Sequence, residues 1–502
     1  MKPGILLALA LAAVVPATAY AAPPLQLQVE AVFAAAPTGT RFGLLVVDEQ
    51  GREVVAVAPD QRFLPASNTK LFTTAAAYTA LPGMDQPDTA GGTRVALVPV
   101  RAESLMILPG VGPDDKVPAG PIDAWLIGRG DARMSSAPDC VSDCLSALAD
   151  AVAAKTKRVR DVVGDDSFWP DQRWTPGMSW NNIGTDDGTA VGALNLDDNV
   201  VALTVTPGAE GQRPVVAMPD YFALRNEAVT TAPGGKPNLR LERAVNGMEL
   251  RLYGEIPADA KQWRERVGLD DPAHFAAWVF KRMLEVRGVK VSGKVRVNHG
   301  PVSQWDDPRW RPGAATPEVI GAPPLAQLSP PPLAEDVVTI NKQSSNLHAE
   351  ALLRRVGDVQ GTGSESWAVE ALHAVLATAG LPRAGYDFSD GSGMSTYNRV
   401  SPRAAVGLLR WAKGQPWGAS WRASLPVGGV DGTLWRRFGG TPLAGRLWAK
   451  TGTLNATNAL SGYMTAASGR ELTFSVFAND VPDGANAVPA IDAALTLIAA
   501  AN

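Results

Sequence analysis

Strand-like and helix-like hydrophobic patterns divide this chain into a short opening section, a long middle and a closing section. Arg41 to Val47 and Glu53 to Ala58 read as two strands, and Asp48-Glu49-Gln50-Gly51 supplies turn chemistry between them. A helix-favouring run comes next, Leu71 to Tyr78, and Pro82-Gly83 stops it. From about Leu81 to Gln327 the segments shorten and Gly, Pro and Asp become frequent. Strands are expected there at Val95 to Val100, Ser104 to Leu108, Ala124 to Ile127, Val200 to Val205, Met248 to Tyr253 and Val289 to Val297, with one helix at Pro272 to Arg287. Pro301 to Pro332 holds nine prolines and suits an extended return linker. Beyond it, helices are expected at Leu333 to Lys342 and Leu347 to Val356. Strands are expected through Gly445 to Leu454, Ala459 to Met464 and Leu472 to Ala478. These would complete an antiparallel sheet, and the apolar stretch from Ile491 reads as a packed terminal helix.

Composition narrows the class. The chain has 502 residues, enough for about three domains of ordinary size. Its 46% hydrophobic and 19% charged residues support a large core and argue against disorder. A net charge of -4 leaves no basic footprint for nucleic acid. Only four histidines occur, His274, His299, His348 and His373, so histidine catalysis or a His-rich metal site is poorly supplied. Lys2, the eleven apolar residues from Ile5 to Val15, and Ala19-Tyr20-Ala21 read as an export signal over 1–21. That run is too short for a permanent anchor, and no later segment reaches membrane-spanning length. Cys140 and Cys144 suit an oxidising compartment and a small loop disulfide, which requires an irregular loop because helical i,i+4 cysteines are poorly placed to bridge. Trp169, Trp174 and Trp180 are expected to serve core and loop packing.

Three short motifs carry the chemistry. Ser67-Asn68-Thr69-Lys70 sits at the start of the first helix, so Lys70 lies on the same face as Ser67. A serine hydroxyl needs a base within hydrogen-bond reach, and a lysine with a lowered pKa can be that base. Such a four-residue pattern arises on the order of once by chance in a chain this long, so its weight comes from two later stretches. Ser344-Ser345-Asn346 falls between two expected helices, where Ser and Asn also serve as caps. Lys450-Thr451-Gly452-Thr453 closes a strand at a glycine that admits close approach. Together they form the ordered set S-x-x-K, S-x-N, K-T-G. In that logic Ser67 attacks an amide carbonyl and Lys70 takes its proton. Ser344 relays a proton to the leaving nitrogen, and Asn346 positions Lys70 and the substrate. Lys450 grips a terminal carboxylate with help from Thr451 and Thr453, and its charge keeps Lys70 neutral. The backbone N–H groups of Ser67 and Thr453 would form the oxyanion hole.

The chain resembles the D-alanyl-D-alanine carboxypeptidase/endopeptidases, the low-molecular-mass class C penicillin-binding proteins. The likeness extends to Val163-Gly164-Asp165-Asp166-Ser167, Asp390-Gly391-Ser392-Gly393, Asn398-Arg399-Val400-Ser401-Pro402 and Val430-Asp431-Gly432-Thr433-Leu434. Ser67 and Ser344 lie 277 positions apart. The resemblance implies that the gap is an insertion, absent from compact serine β-lactamases. It implies an α+β fold, with a transpeptidase-like domain in two parts, 22–83 and 327–502, flanking a mainly β insertion of one or two nested domains over 84–326. It also implies a serine DD-peptidase acting on peptidoglycan peptide stems and cross-links, acylated by β-lactams and needing neither metal nor cofactor; the export signal sends it across the inner membrane, to the periplasm or beyond. A serine β-lactamase and a non-catalytic cell-wall binding protein are the rival readings. Asn182 stands where relatives often carry an acidic residue near the substrate's amino group, which bears on side-chain preference.

Overall fold

A computed structural model describes residues 24–100, 120–310 and 323–502. The expected signal, 1–21, and the expected strand at Ser104 to Leu108 lie outside these residues, as does the middle of the proline-rich return.

Both ends of the chain build one antiparallel sheet. Its order is Leu447–Leu454, Thr457–Thr465, Glu471–Asn479, Arg41–Val47, Glu53–Val57. The Glu471–Asn479 strand is buried on both faces, which explains its near-continuous run of small and apolar residues. Among the described residues, ten helices surround this sheet and a second one: α1 (Leu25–Ala34), α2 (Thr69–Ala80), α3 (Leu145–Lys155), α4 (Pro272–Val286), α5 (Leu333–Lys342), α6 (Asn346–Asp358), α7 (Glu365–Thr378), α8 (Pro402–Lys413), α9 (Gly418–Ala423) and α10 (Val488–Ala501). On one face of the first sheet, α1 and α10 pack against Leu44, Val46, Phe474 and Val476 through Phe33, Ile491, Leu495 and Ile498. The expected terminal helix is therefore core structure. On the other face lie Phe63, Tyr463 and Phe477 with α2, α6, α7 and α8. Helix α2 is buried from Thr69 to Ala77, with Leu71, Phe72, Ala75, Ala76 and Ala77 in the core. Small alanines let neighbouring helices close in, and Trp421 donates from its indole to Thr74 Oγ1 at 2.9 Å.

The long middle of the chain has its own core and its own five-stranded sheet, ordered Val295–Gly300, Val162–Pro170, Ile122–Ile127, Arg94–Pro99, Ala326–Gln327. Two of its pairings are parallel, Ile122–Ile127 with Val162–Pro170 and Val162–Pro170 with Val295–Gly300. Parallel neighbours need crossovers, and α3 and α4 provide them. The sequence pattern predicted α4 but not α3. Its apolar positions 145, 148, 149, 152 and 153 do obey helical spacing and are all buried. The strand expected over Val289 to Val297 is two pieces, Lys290–Val291 and Val295–Gly300, interrupted where Lys294 N donates to Asp161. Smaller sheets form around Val200–Thr206 and Glu249–Pro257. Cys140 and Cys144 are bridged, with Asp143 at φ 58 in the loop they close. Trp169 is buried as expected, whereas Trp180 is 76% exposed.

The two cores meet along α6. Arg355 makes a two-pronged pair with Asp88 at 2.7 and 2.9 Å, and His348 reaches Asp198 at 3.1 Å.

Candidate active site

Ser67 stands on a kink. Phe63 and Val400 exchange backbone hydrogen bonds at 2.9 Å and anchor the approach. Ala66 then adopts φ 47, a 3-10 turn covers Ala66–Asn68, and α2 begins at Thr69. Gly393 makes room for the kink, since a Cβ there would lie 1.9 Å from the carbonyl oxygen of Ala66. Ser67 thus precedes the regular helix, on a separate tight turn, and Lys70 comes one turn later with no exposed surface.

The Lys70 amine has three partners: Ser67 Oγ at 2.9 Å, Asn346 Oδ1 at 2.6 Å and the Ser392 carbonyl oxygen at 2.6 Å. A neutral amine has two N–H groups and one lone pair. Amide and carbonyl oxygens only accept, so both N–H groups go to Asn346 and Ser392. The lone pair is left facing the serine hydroxyl, the direction a base requires. Burial pulls the Lys70 pKa down to about 8, against the carboxylates of Asp390, Glu350 and Asp187, which favour the charged form.

Ser344 sits at φ 65 between α5 and α6. The capping duty falls to Ser345, whose hydroxyl accepts from His348 N at 3.4 Å. Ser344 and Asn346 are thereby free to face the cleft. Lys450 Nζ donates to Ser344 Oγ at 2.9 Å and to the Thr451 carbonyl at 3.1 Å. Lys450 comes from the sheet, paired with Ser461, and Gly452 lets that strand approach the nucleophile turn. A Cβ at Gly452 would stand 2.7 Å from the Pro65 carbonyl. Thr451 Oγ1 meets Thr433 Oγ1 at 2.7 Å. Thr453 lines an open cavity of about 580 Å³ with Asn182, Asp186, Asp187, Arg240 and Met394.

Ser67, Lys70 and Asn346 therefore join through direct contacts, Ser344 and Lys450 form a second contacting pair, and Asn68 ties the Lys450 strand to the nucleophile turn, with Thr451, Gly452 and Thr453 along that strand. One expectation is corrected. Burial, not the charge of Lys450, depresses Lys70. Lys450 is itself fully buried, and burial together with the charge of Lys70 holds its pKa well below the usual lysine range. The sequence reading also missed the carboxylates behind the site. Glu350 accepts from Gly391 N and Ser392 N, and burial with the neighbouring Asp390 pushes it up to about 7. Asp390 accepts from Gly393 N and Asn398. The stretches 390–393 and 398–402 signalled themselves in the sequence, but their role behind Lys70 did not. Among the described residues no group of three or more His, Cys, Asp or Glu side chains is arranged to hold a metal ion.

Comparisons with known proteins agree with one another. The model of the D-Ala-D-Ala carboxypeptidase 3 (S13) family matches residues 25–501. A D-alanyl-D-alanine carboxypeptidase of Actinomadura sp. (strain R39) is 35% identical over 459 residues, 88% of this chain and 78% of that protein. The D-alanyl-D-alanine carboxypeptidase DacB of Haemophilus influenzae is 24% identical, covering 89% of this chain and 87% of its own length. The crystal structure of penicillin binding protein 4 from Haemophilus influenzae shares the fold, with a TM-score of 0.73 at 20% identity over 94% of this chain and 97% of that one.

Proposed function

This chain belongs to the D-Ala-D-Ala carboxypeptidase 3 (S13) family and is a serine D-Ala-D-Ala carboxypeptidase; on that premise we propose that catalysis runs through an acyl-enzyme on Ser67. The supporting observation is the set of contacts at Lys70, which leaves its lone pair for Ser67 Oγ alone. Ser67 attacks the carbonyl of the penultimate D-alanine as its proton passes to Lys70. The oxygen gathers negative charge between the backbone N–H groups of Ser67 and Thr453. Ser344, bonded to Lys450, passes the proton that Lys70 took from Ser67 on to the departing amine as the C–N bond breaks, which leaves Lys70 neutral again. The released D-alanine then gives up the hold of Lys450, Thr451 and Thr453 on its carboxylate and departs. Water then attacks the ester, with Lys70 again accepting the proton, and frees Ser67.

The substrate class is peptidoglycan peptide stems, and cross-links between them are a second target of the same chemistry. A penicillin-binding protein 4 of Haemophilus influenzae has been seen in complex with a β-lactam. For this chain, β-lactams act as covalent inhibitors at Ser67. The leader over 1–21 delivers the enzyme across the inner membrane to the periplasm. Residues 84–326 form an insertion in a transpeptidase-like domain made of the flanking parts. Labelling with a fluorescent penicillin tests this reading. Wild type should be labelled and Ser67→Ala should not, and equal labelling of the two would refute it. Product analysis of digested peptidoglycan fragments separates carboxypeptidase from endopeptidase release.

A further inference from the structure

The group that orders the Lys70 amine is itself held from the long middle of the chain. The Asn346 side chain has two unlike ends. Oδ1 accepts from Lys70 at 2.6 Å, while Nδ2 donates to the Asp187 carbonyl oxygen at 2.9 Å and meets its carboxylate Oδ1 at 3.4 Å. Asp187 lies 159 positions before Asn346, on a loop that is closed on itself. Thr185 Oγ1 donates to the Asn182 carbonyl at 2.7 Å, Gly188 N donates to Thr185 Oγ1 at 3.2 Å, and the Trp174 indole donates to the Gly188 carbonyl at 3.0 Å. Asp187 also borders both the open cavity near Thr453 and a smaller one beside Ser392 and Met394.

The two amide ends are not interchangeable. With Nδ2 turned toward Lys70, the amine would accept with its lone pair there and present an N–H to Ser67 instead. Asp187 offers Asn346 two acceptors, so it favours the productive orientation. We propose that Asp187 is a positioning residue for acyl transfer, which fixes the Asn346 amide and through it aims the lone pair of Lys70 at Ser67. This rests on the reading of Lys70 as the base. The inserted segment then supplies part of the catalytic geometry.

The Asp187 carboxylate also carries charge into the site. Lys70 faces Asp390, Glu350 and Asp187, with Lys450 as the neighbouring basic group; Asp187 in turn faces Asp186, Lys70 and Arg266. Removing the Asp187 charge therefore makes Lys70 neutral at lower pH.

The test measures the second-order rate of acylation by a fluorescent penicillin from pH 5 to 10, together with thermal unfolding. Asp187→Asn keeps an acceptor oxygen but no charge. Its plateau rate should stay near wild type while the rising limb moves to lower pH. Asp187→Ala should show the same displaced limb and a plateau lower by about 3- to 10-fold, the worth of one hydrogen bond. In Gly188→Ala the new Cβ would lie 2.1 Å from the Asn182 carbonyl, so the loop and the Asp187 carbonyl must shift, and the plateau should fall further. An Asp187→Ala enzyme with wild-type plateau and limb overturns the proposal. So does a slower enzyme with an unmoved limb and a lowered melting temperature, which marks a structural role only. Ser67→Ala runs in parallel. If it labels like wild type, the assignment of Ser67 fails, and that result is distinct from any outcome at Asp187.

Discussion

Asn68 donates from its side-chain amide to the main-chain carbonyl of Lys450 at 3.0 Å, joining residues 382 positions apart. The bond ties the nucleophile turn to the strand that carries the carboxylate-binding lysine. It is completely buried, so neither group has water as an alternative partner. Asn68→Ala removes one buried partner of the Lys450 carbonyl, which keeps its place in the strand ladder opposite Ser461, and should cost about 1 kcal/mol, read as a lower urea midpoint. The acylation rate should fall with it, because the spacing between Ser67 and Lys450 loses its brace. An unchanged midpoint would show that the carbonyl has found another donor.

Lys70→Arg should abolish acylation. A guanidinium stays protonated and cannot take the Ser67 proton, and positioned general bases are worth about 10²–10⁴ in rate. In the wild type the base must be neutral, and burial sets its pKa at about 8. The acylation rate should therefore rise tenfold per pH unit at low pH and level off above about 8. A profile flat from pH 5 to 10 would exclude Lys70 as the titrating base.

The sequence exposed the groups that bear the chemistry more readily than those that tune it. Ser67 and Lys70 lie three residues apart at a helix start, and Ser344 and Asn346 stand at the junction of α5 and α6, whose apolar periodicity is strong, so local patterning located them. Asp187, Glu350 and Asp390 act through contacts between distant segments, and no local period marks such a contact. The depression of Lys70 was legible in direction but not in cause. Burial of α2 depends on packing by α6 and α7, which only the tertiary fold reveals. Helix α3 had a readable pattern that the surrounding glycines and prolines masked, and Trp180 shows that an aromatic in a loop need not be covered.

Ser344 is a non-glycine residue in the left-handed region, where a side chain costs roughly 1 kcal/mol relative to glycine. Ser344→Gly and Ser344→Ala both remove the hydroxyl that Lys450 contacts, and both should lower kcat by about 10²–10⁴. They should differ in stability. The glycine variant should melt above the alanine variant, because only the latter retains the backbone strain. Equal melting temperatures would deny that strain.

Lys450 is buried against the Ser344 hydroxyl and its neighbour's carbonyl, and its charged form is penalised accordingly. An arriving substrate carboxylate favours that charged form. Peptides ending in a free carboxylate should exceed their C-terminal amides in kcat/KM by about 10- to 100-fold, the worth of a charge-assisted hydrogen bond. Lys450→Ala should erase that preference.

His348 lies two residues beyond Asn346 and clamps α6 between the two cores. Its Nδ1 meets Asp336 at 2.7 Å and its Nε2 meets Asp198 at 3.1 Å. Burial alone would lower its pKa, but the charge of Asp336 and the hydrogen bonds to Asp198 and Asp336 prevail and push it up to about 10. The unfolded value is near 6.5. A group whose folded pKa is raised stabilises fully below its unfolded pKa, and that contribution falls as pH climbs toward the folded value. The stability His348 adds over His348→Gln should therefore be greatest near pH 6 and shrink steadily up to about pH 10. Urea unfolding of both proteins at pH 6, 8 and 10 measures the gap. A gap that widens with pH would mean that His348 is held neutral, and that the two cores are joined here by hydrogen bonds without an ion pair.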